Sequence, residues 1–493
     1  MNPFKKIAGD TVIYGMSSII GRFLNWWLVP YYSFIFMPEV FGIVTNLYSY
    51  IAFFLVLLIY GMETSFFRYA SKSENPEKVY STSLVSLFFT SISFIILVLV
   101  FQNDIAALIK YPDHPEYILW LSIILALDAF TAIPFARLRL YNKPVKFASV
   151  KLLGIGFNIG FNLFFLTFCP AIIKENPDSL LNIVYSADIG VGYVFISNLL
   201  ASAFTLIFLL PEILKVSLKF DGRLLKQMLS YGFPILIVGL AGMINQNIDK
   251  ILIPFLVPEE NNPMFQVGVY GANYKLAVLM NMFIQSFRYA FEPFFFSRGS
   301  SMEDSQIYSK IMKYFVVFGL SIFLVMVLFI DVIKIIISPE YHEGLKVVPV
   351  ILMANLFFGI YFVLSLWYKL KDLTSFGAYI ALIGAAITLI INVLLIPVIG
   401  YAGSAIAVFV CYFTMMVISY LLGQKYYPIP YNLKRIGLYF LIALFIFALS
   451  YFTQSLNDIL KYSANAVSLL FYFIAVYIME RNEIKRLLNL KIK

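Results

Sequence analysis

Long apolar stretches constrain this chain more than any other feature. They recur along all 493 residues, and each is close to the roughly 20 residues that a helix needs to cross a bilayer. Only 13% of the residues are charged, about half of what a soluble domain carries. The stretches lie at 10–35, 39–62, 80–101, 116–136, 147–169, 186–210, 229–254, 266–287, 312–330, 347–368, 375–397, 399–423, 436–452 and 464–479. The sequence therefore predicts an all-α polytopic membrane protein with about fourteen transmembrane helices.

The connections between these stretches are short. The longest, near 63–79, 211–228 and 288–311, leave no room for a soluble domain. The first stretch follows a short basic start and lacks a small-residue cleavage site after it. We therefore expect a retained helix there, not a signal peptide.

The basic residues predict how the chain is oriented. Of the 36 Lys and Arg residues, 27 fall in the termini and in one set of alternate loops, six fall in the opposite loops, and three lie inside helices. Cytoplasmic loops are the ones that carry such an excess. Both termini are thus predicted to be cytoplasmic, and the net charge of +9 reflects topology and anionic lipid instead of a nucleic-acid partner.

The two halves of the chain carry a weak internal repeat. Tyr14-Gly15 pairs with Tyr231-Gly232, Phe41-Gly42 with Val267-Gly268, Phe67–Ala70 with Phe287–Ala290, Asp104 with Asp331, and Ile189-Gly190 with Ile399-Gly400. Six helices separate the copies, so both have the same orientation, as in transporters with parallel repeats. The predicted domains are a six-helix lobe at 1–210, a cytoplasmic linker at 211–228, a pseudo-symmetric six-helix lobe at 229–425, and two additional helices with a basic tail at 426–493. This pattern predicts a cleft between two rocking lobes, although duplication without transport is the alternative.

Several predicted helices carry polar groups that lipid disfavours. A charge at the centre of a bilayer costs about 2.5–3.5 kcal/mol on insertion scales, unless it faces a wet cavity, pairs, or reaches the interface. Arg22 lies at mid-depth with Asn25 on the same helical face, which predicts that both face a cavity. Lys151 and Lys275 are closer to helix ends, where an interfacial anchor is the alternative.

Metal and cofactor chemistry find no support in the sequence. His114 and His342 stand alone in outer loops, and Cys169 and Cys411 lie in separate predicted helices. We expect neither a metal site, nor a disulfide, nor a cofactor.

The sequence resembles the polysaccharide exporters and O-antigen flippases of the multidrug/oligosaccharidyl-lipid/polysaccharide exporter superfamily. The resemblance spans about residues 8–425, and the order and spacing of short motifs carry it. The motifs are Gly61-Met62-Glu63 through Arg68-Tyr69, the basic turn from Arg137 to Phe147, Asn247 to Ile253, Val267 to Tyr270 with Tyr274 to Ala277, and Pro397 to Ala405.

The resemblance implies a flippase in the bacterial cell membrane that moves an undecaprenyl-diphosphate-linked oligosaccharide outward for O-antigen or capsule assembly. A cationic cleft would lower the cost of moving a diphosphate, since arginine binds phosphate oxygens in a bidentate way. The candidate diphosphate ligands are Arg22, Lys151, Lys275 and Arg288, and the candidate sugar ligands are Asn25, Asn158 and Gln246. Coupling to H+ or Na+ would fall to Asp128, Asp188 and Asp249. A buried ion pair is the alternative for Asp128 and Asp188, and a local pair with Lys250 is the alternative for Asp249. Expected partners are the substrate, membrane lipids and other polysaccharide-assembly membrane proteins.

Other functions remain open at this stage. A drug exporter of the same superfamily should have an acidic cavity, whereas the charge within these helices leans basic. A lipid II flippase or a carrier of teichoic or other lipid-linked glycans would share the fold. A membrane glycan polymerase or glycosyltransferase would need a sizeable acidic outer loop, and loops such as 102–115, 170–183 and 453–463 are short and lack paired carboxylates. We therefore do not expect an enzyme.

Overall fold

The computed structural model describes residues 3–217, 219–298 and 302–490, and those residues are almost entirely helical. The chain divides into two compact units, Met1–Gly271 and Ala272–Lys493. The first contains α1 (Pro3–Ile35), α2 (Pro38–Ile59), α3 (Met62–Ala70), α4 (Pro76–Leu108), α5 (Pro115–Leu140), α6 (Pro144–Leu163), α7 (Cys169–Glu175), α8 (Gly192–Leu214), α9 (Gly222–Leu256) and most of α10 (Pro263–Leu276). The second contains the end of α10, then α11 (Val278–Arg298), α12 (Met302–Leu328), α13 (Ile330–Ile333), α14 (Val348–Leu364), α15 (Leu366–Leu370), α16 (Ser375–Ile399), α17 (Tyr401–Tyr426), α18 (Leu433–Thr453) and α19 (Asp458–Leu490).

Each of the fourteen predicted apolar stretches coincides with helix, which confirms a polytopic all-α membrane protein. Among the described residues, twelve helices are long and apolar enough to span a bilayer. The two predicted spans outside that set are 10–35, which lies in α1, and 266–287, which is divided between α10 and α11. Fourteen spans, the cytoplasmic termini and the lobe boundaries stay predictions, and the basic residues Lys491 and Lys493 of the tail lie outside the described residues.

Glycine pairs singled out by the repeat adopt matching backbone conformations. Gly190 precedes α8 with φ 50° and ψ −120°, and Gly400 precedes α17 with φ 58° and ψ −141°. An L side chain rarely adopts such positive φ values, so glycine suits both turns. The same local geometry at both places is what two copies of one helix entry would show.

A second glycine pair brings two helices into backbone contact. A Cβ atom built at Gly42 of α2 would lie 2.1 Å from the carbonyl oxygen of Met264, and one built at Gly268 of α10 would lie 1.8 Å from that of Pro38. The contact is reciprocal, because Pro38 and Met264 each precede their glycine by four residues. Both helices begin on the predicted outer side, so this crossing joins α2 and α10 there.

We expect the substitution Gly268→Ala to lower the free energy of unfolding by about 1–3 kcal/mol, because α2 and α10 must separate to admit the methyl group. Thermal unfolding of the purified protein measures the effect. Gly160→Ala is the matched control, since nothing lies within 4 Å of a Cβ atom built at Gly160 and alanine favours helix. Equal unfolding temperatures for the two variants would contradict the close crossing.

Buried ion pairs fasten the predicted cytoplasmic ends of the first unit's helices. Glu212 of α8 is 1% exposed and accepts hydrogen bonds from Lys146 at 2.6 Å and from Arg137 at 3.4 Å. Arg137 also donates to Glu77 of α4 at 2.8 Å. A buried charge is tolerated when it is paired and hydrogen-bonded in this way. Basic residues at the end of α5 and the start of α6 therefore form ion pairs that join α4, α5, α6 and α8.

The predicted linker at 211–228 is short and tied to the first unit. It holds the end of α8 and the start of α9, where Asp221 caps the helix by accepting from the backbone N–H groups of Arg223 and Leu224. Lys78 forms an ion pair with Asp221 at 2.6 Å. The hydrogen bond from Lys78, with those from the backbone, holds the pKa of Asp221 at about 2.

The last helix, α19, is anchored to α12 along its length. Near one end, Asn465 donates to the carbonyl oxygen of Leu328 at 2.7 Å, and Tyr472 donates to that of Val317 at 3.2 Å. Near the other end, Lys313 forms ion pairs with Glu480 and Glu483, and Arg435 of α18 pairs with Glu480 at 3.0 Å. The two helices that follow the predicted second lobe are thus an integral part of the second unit.

Candidate functional site

Two cations of the predicted site lie together in the first unit, on α1 and α6. These helices approach closely where a Cβ atom at Gly21 would lie 2.7 Å from Cδ1 of Ile155, one residue from Arg22 and one helical turn from Lys151. The positive charge of Arg22 acts on Lys151. Arg22 is exposed and Lys151 is partly exposed, with its ammonium 5.5 Å from the ring centroid of Phe147. The structure therefore gathers two of the four predicted diphosphate ligands.

Neither Arg22 nor Lys151 forms an ion pair with any residue that the structure describes. This distinguishes them from nearby cations: Arg139 pairs with Glu63 of α3, and Arg137 pairs with Glu77 and Glu212. Glu63 also acts electrostatically on Lys151, yet its carboxylate is bound by Arg139. Within the described residues, Arg22 and Lys151 are thus two neighbouring cations that no carboxylate binds, and an external anion would neutralise them.

A polar ladder continues along the same side of α6. Asn162 donates to the side chain of Asn158 at 3.0 Å and accepts from the Tyr32 hydroxyl of α1 at 2.8 Å. Since Lys151, Asn158 and Asn162 are spaced by seven and four residues, they share one helical face. The helix then loosens into a π-helical turn at 164–168, just before Pro170, a residue that cannot donate a backbone hydrogen bond. Asn25 of α1 is exposed.

Asp128 lies at the centre of a second polar group, between α5, α8 and α2. Its carboxylate accepts a hydrogen bond from the Ser202 hydroxyl at 2.8 Å. Tyr48 of α2 lies close enough for an electrostatic interaction with Asp128, and Asn198 of α8 donates to the Tyr48 hydroxyl at 3.1 Å. No ion pair joins Asp128 to a described Lys or Arg. A proton or a small cation would therefore supply the counter-charge that the described residues do not.

Asp249 belongs to a satisfied buried network. It is 1% exposed, its carboxylate contacts the Lys250 ammonium at 2.9 Å, and the Tyr270 hydroxyl of α10 donates to it at 2.8 Å. The Lys250 ammonium also donates to the backbone carbonyl of Gln246 at 3.1 Å, while the Gln246 side chain is exposed. This is the local ion pair that the sequence left as the alternative for Asp249, and it ties α9 to α10.

The remaining predicted residues lie elsewhere. Asp188 is exposed in a 3-10 turn at Ala187–Ile189, outside the helices that can span a membrane, and its carboxylate accepts only from the neighbouring Ser186 hydroxyl among the described groups. Lys275 lies near the end of α10 and Arg288 lies within α11. Both belong to the second unit, and both are exposed. The Arg288 guanidinium lies 5.0 Å from the ring centroid of Phe362.

Sequence reasoning did not single out Tyr48, Asn198 and Ser202 as neighbours of Asp128. A tyrosine, an asparagine and a serine are ordinary in transmembrane helices, where they support helix packing. Their sequence separation from Asp128 gives no sign of contact. A pattern of polar residues facing one partly buried carboxylate across three helices becomes visible only in the fold.

Comparisons with known proteins agree on one family and one fold. A family model described as polysaccharide biosynthesis protein matches residues 7–298. No curated protein matches the sequence. Lipid II flippase MurJ in an inward closed conformation matches the structure with a TM-score of 0.75 and 16% identity, over 96% of this chain and 100% of MurJ. An inward-facing multidrug resistance MATE family transporter of the MOP superfamily matches with a TM-score of 0.63 and 12% identity, over 84% of this chain and 94% of the transporter.

A further structural match is a MOP superfamily transporter from Pyrococcus furiosus, with a TM-score of 0.54 and 12% identity, over 84% of this chain and 95% of that one. It is described as having a binding pocket of reverse polarity that suggests a different function. At these identities the structural matches establish the fold, which is that of MOP superfamily transporters.

Proposed function

The chain belongs to the polysaccharide biosynthesis protein family, and we propose that within it this protein flips an undecaprenyl-diphosphate-linked oligosaccharide from the cytoplasmic to the outer leaflet of a bacterial cell membrane. The family and the transporter fold together support a flippase or exporter. That the transported substrate is a lipid-linked oligosaccharide is our proposal, and the charged and polar residues of the first unit support it.

The observation that carries the proposal is the pair of cations without a carboxylate partner, Arg22 and Lys151. A diphosphate buried without counter-charge would cost many kcal/mol in hydrocarbon. A guanidinium and an ammonium on neighbouring helices can neutralise it, and the guanidinium can bind two phosphate oxygens at once. The partly exposed Asn158 side chain, which accepts from the buried Asn162, offers an amide for a sugar hydroxyl on the same face of α6 as Lys151.

Transport by alternating access accounts for the rest of the proposal. The cations would face one side of the membrane at a time, while the lipid tail stays in the bilayer. The close crossing of α2 and α10 at Gly42 and Gly268 joins these two helices on the predicted outer side.

Two related functions compete with this one. A drug exporter that binds cationic compounds needs an acidic site, whereas Arg22 and Lys151, which lack an ion-pair partner among the described residues, are both positive. A lipid II flippase would also carry a diphosphate lipid, and the MurJ match shows the fold alone.

The experiment that tests the proposal is deletion of the gene, followed by measurement of surface polysaccharide and of lipid-linked intermediates. We expect loss of the surface polysaccharide and accumulation of complete lipid-linked units on the cytoplasmic side. Normal polysaccharide with altered efflux of cationic dyes would support a drug exporter instead. Lysis on depletion, with lipid II accumulating, would support the lipid II flippase.

Asp128 is the proposed coupling residue, because its carboxylate lacks an ion-pair partner among the described residues while Ser202 and Tyr48 surround it. We expect Asp128→Asn to abolish the dependence of flipping on an imposed proton or sodium gradient. The neutral amide neither takes up a proton nor supplies a negative charge for a sodium ion. Flipping of a fluorescent polyprenyl-diphosphate sugar in vesicles, with each gradient imposed separately, measures this. Asp188→Asn is the matched control and should retain the gradient dependence; an unchanged response in Asp128→Asn would contradict the assignment.

A further inference from the structure

A cavity of about 470 Å³ lies in the first unit, away from every residue of the candidate site. It is bounded by α2, α4, α5 and the end of α9, through side chains such as Ile51, Val98, Ile105, Leu121, Leu125 and Phe255. Its volume falls within the range of small-molecule sites. A cavity of this size walled by hydrocarbon does not hold ordered water, because water there would lack hydrogen-bond partners.

All four bounding elements place the cavity in the predicted outer half of the membrane. α2 and α5 begin on that side, at Pro38 and Pro115, and α4 and α9 end there, at Leu108 and Leu256. At 1.5 Å of rise per residue, ten of the fifteen lining residues lie within about 15 Å of one of these ends, which is half the thickness of the hydrocarbon core. Most of the cavity therefore lies at the depth of the outer leaflet's hydrocarbon chains.

The cavity has an opening toward the bilayer along α4. This helix departs from helical geometry at Phe101, with φ −109° and ψ 18°, between the lining residues Val98 and Ile105. Large apolar side chains on either side of the kink are exposed, including Leu97, Val100 and Leu108. Such a surface in a membrane protein faces lipid, so the cavity is continuous with the chains of the surrounding bilayer.

Few polar groups lie at the cavity. Tyr50 lines it, and the Ser122 hydroxyl donates to the backbone carbonyl of Leu119 at 2.8 Å. At the outer end, the Lys110 ammonium lies 5.8 Å from the ring centroid of Phe255, donates to the carbonyl of Pro254 at 2.8 Å, and pairs with Glu259, whose side chain is 76% exposed. An exposed ion pair contributes little free energy, so a lipid phosphate can replace the Glu259 carboxylate beside Lys110 while the hydrocarbon chain enters the cavity.

We propose that this cavity binds one acyl chain of an outer-leaflet phospholipid, with the phosphate beside Lys110. The chain fills space that otherwise lacks dispersion contacts, and it supports the packing of Phe255 against α2, α4 and α5. The assignment does not depend on which substrate the protein transports.

Native mass spectrometry of the purified full-length protein, delipidated and titrated with palmitoyl-oleoyl phosphatidylglycerol, tests the proposal. We expect one tightly bound lipid in the unsubstituted protein and about tenfold weaker binding in Leu121→Trp, because the indole occupies the volume of several methylene groups. Leu99→Trp, on the exposed face of α4 outside the cavity, should bind as the unsubstituted protein does.

A second cavity-filling variant keeps the proposal testable if Leu121→Trp fails to fold. Ser122→Leu also fills the cavity and should weaken binding, while gel filtration and thermal unfolding report whether each variant is folded. Binding that is equal in the folded cavity variants and in Leu99→Trp would overturn the proposal. So would retention of a polyprenyl lipid in preference to the phospholipid, since the occupant would then be the transported class of lipid.

Discussion

Replacing Arg22 with alanine should slow flipping of the lipid-linked oligosaccharide about tenfold to a hundredfold, with the protein still present in the membrane at its normal level. A hydrogen bond to a charged group contributes about 1.5–3 kcal/mol, and the loss of one phosphate-binding guanidinium changes affinity by the corresponding factor. Because no described carboxylate neutralises Arg22, its removal leaves no unpaired partner behind. The loss should therefore appear in transport and not in stability.

The measurement is surface polysaccharide in cells that carry only the variant, with the variant's membrane level determined by immunoblot. Arg22→Lys should retain part of the activity, since it keeps the charge but loses bidentate geometry. Arg223→Ala is the matched control, because Arg223 is exposed at the start of α9 and remote from α1 in the sequence. Intact flipping in Arg22→Ala at an equal protein level would remove the main support for the cationic site.

The substitution Glu480→Ala should have the largest effect on stability, lowering the free energy of unfolding by about 3 kcal/mol. The Glu480 side chain is 0% exposed and pairs with Lys313, itself 6% exposed, and with Arg435. Tyr439 also donates to it. Removal leaves Lys313 with Glu483 alone as its ion-pair partner among the described residues, so the buried ammonium keeps only part of its compensation.

Thermal unfolding in detergent, with fluorescence detection, reports the change. Glu483→Ala is the matched control: Glu483 contacts the same lysine, but its side chain is 32% exposed, and such a pair contributes at most about 1 kcal/mol. Similar losses in the two variants would show that burial of Glu480 does not set the strength of this network.

The helices were predictable from the sequence because bilayer thickness imposes a length and a hydropathy on each span. The break between α2 and α3 was not: it depends on left-handed conformations at Tyr60 and Gly61, where the backbone of Gly232 approaches within 2.5 Å of a Cβ atom built at Gly61. Apolar periodicity carries no record of such a backbone contact. The same holds for the division of 266–287 between α10 and α11.

The candidate site was predictable residue by residue but not as an arrangement. The spacing of polar residues within each helix identified Arg22 on α1 and Lys151 on α6, because a charge inside the membrane is costly unless it has a partner or a function. Whether such a charge is already satisfied depends on partners far away in sequence. Tyr270 lies 21 residues from Asp249 and completes its network, whereas Asp128 has no ion-pair partner among the described residues and accepts from the Ser202 hydroxyl. The residues that contact a charge therefore tell whether it is structural or functional, and only the fold shows which residues those are.

The contact between Lys313 and Glu480 also bears on how the protein is made. The two residues are 167 positions apart, so at about 5–20 residues per second α12 is synthesised roughly 10–30 s before its partner. During that time Lys313 lacks the carboxylates of α19 that pair with it, so this end of α12 cannot adopt its final packing. The second unit can therefore reach its final packing only after α19 has been synthesised.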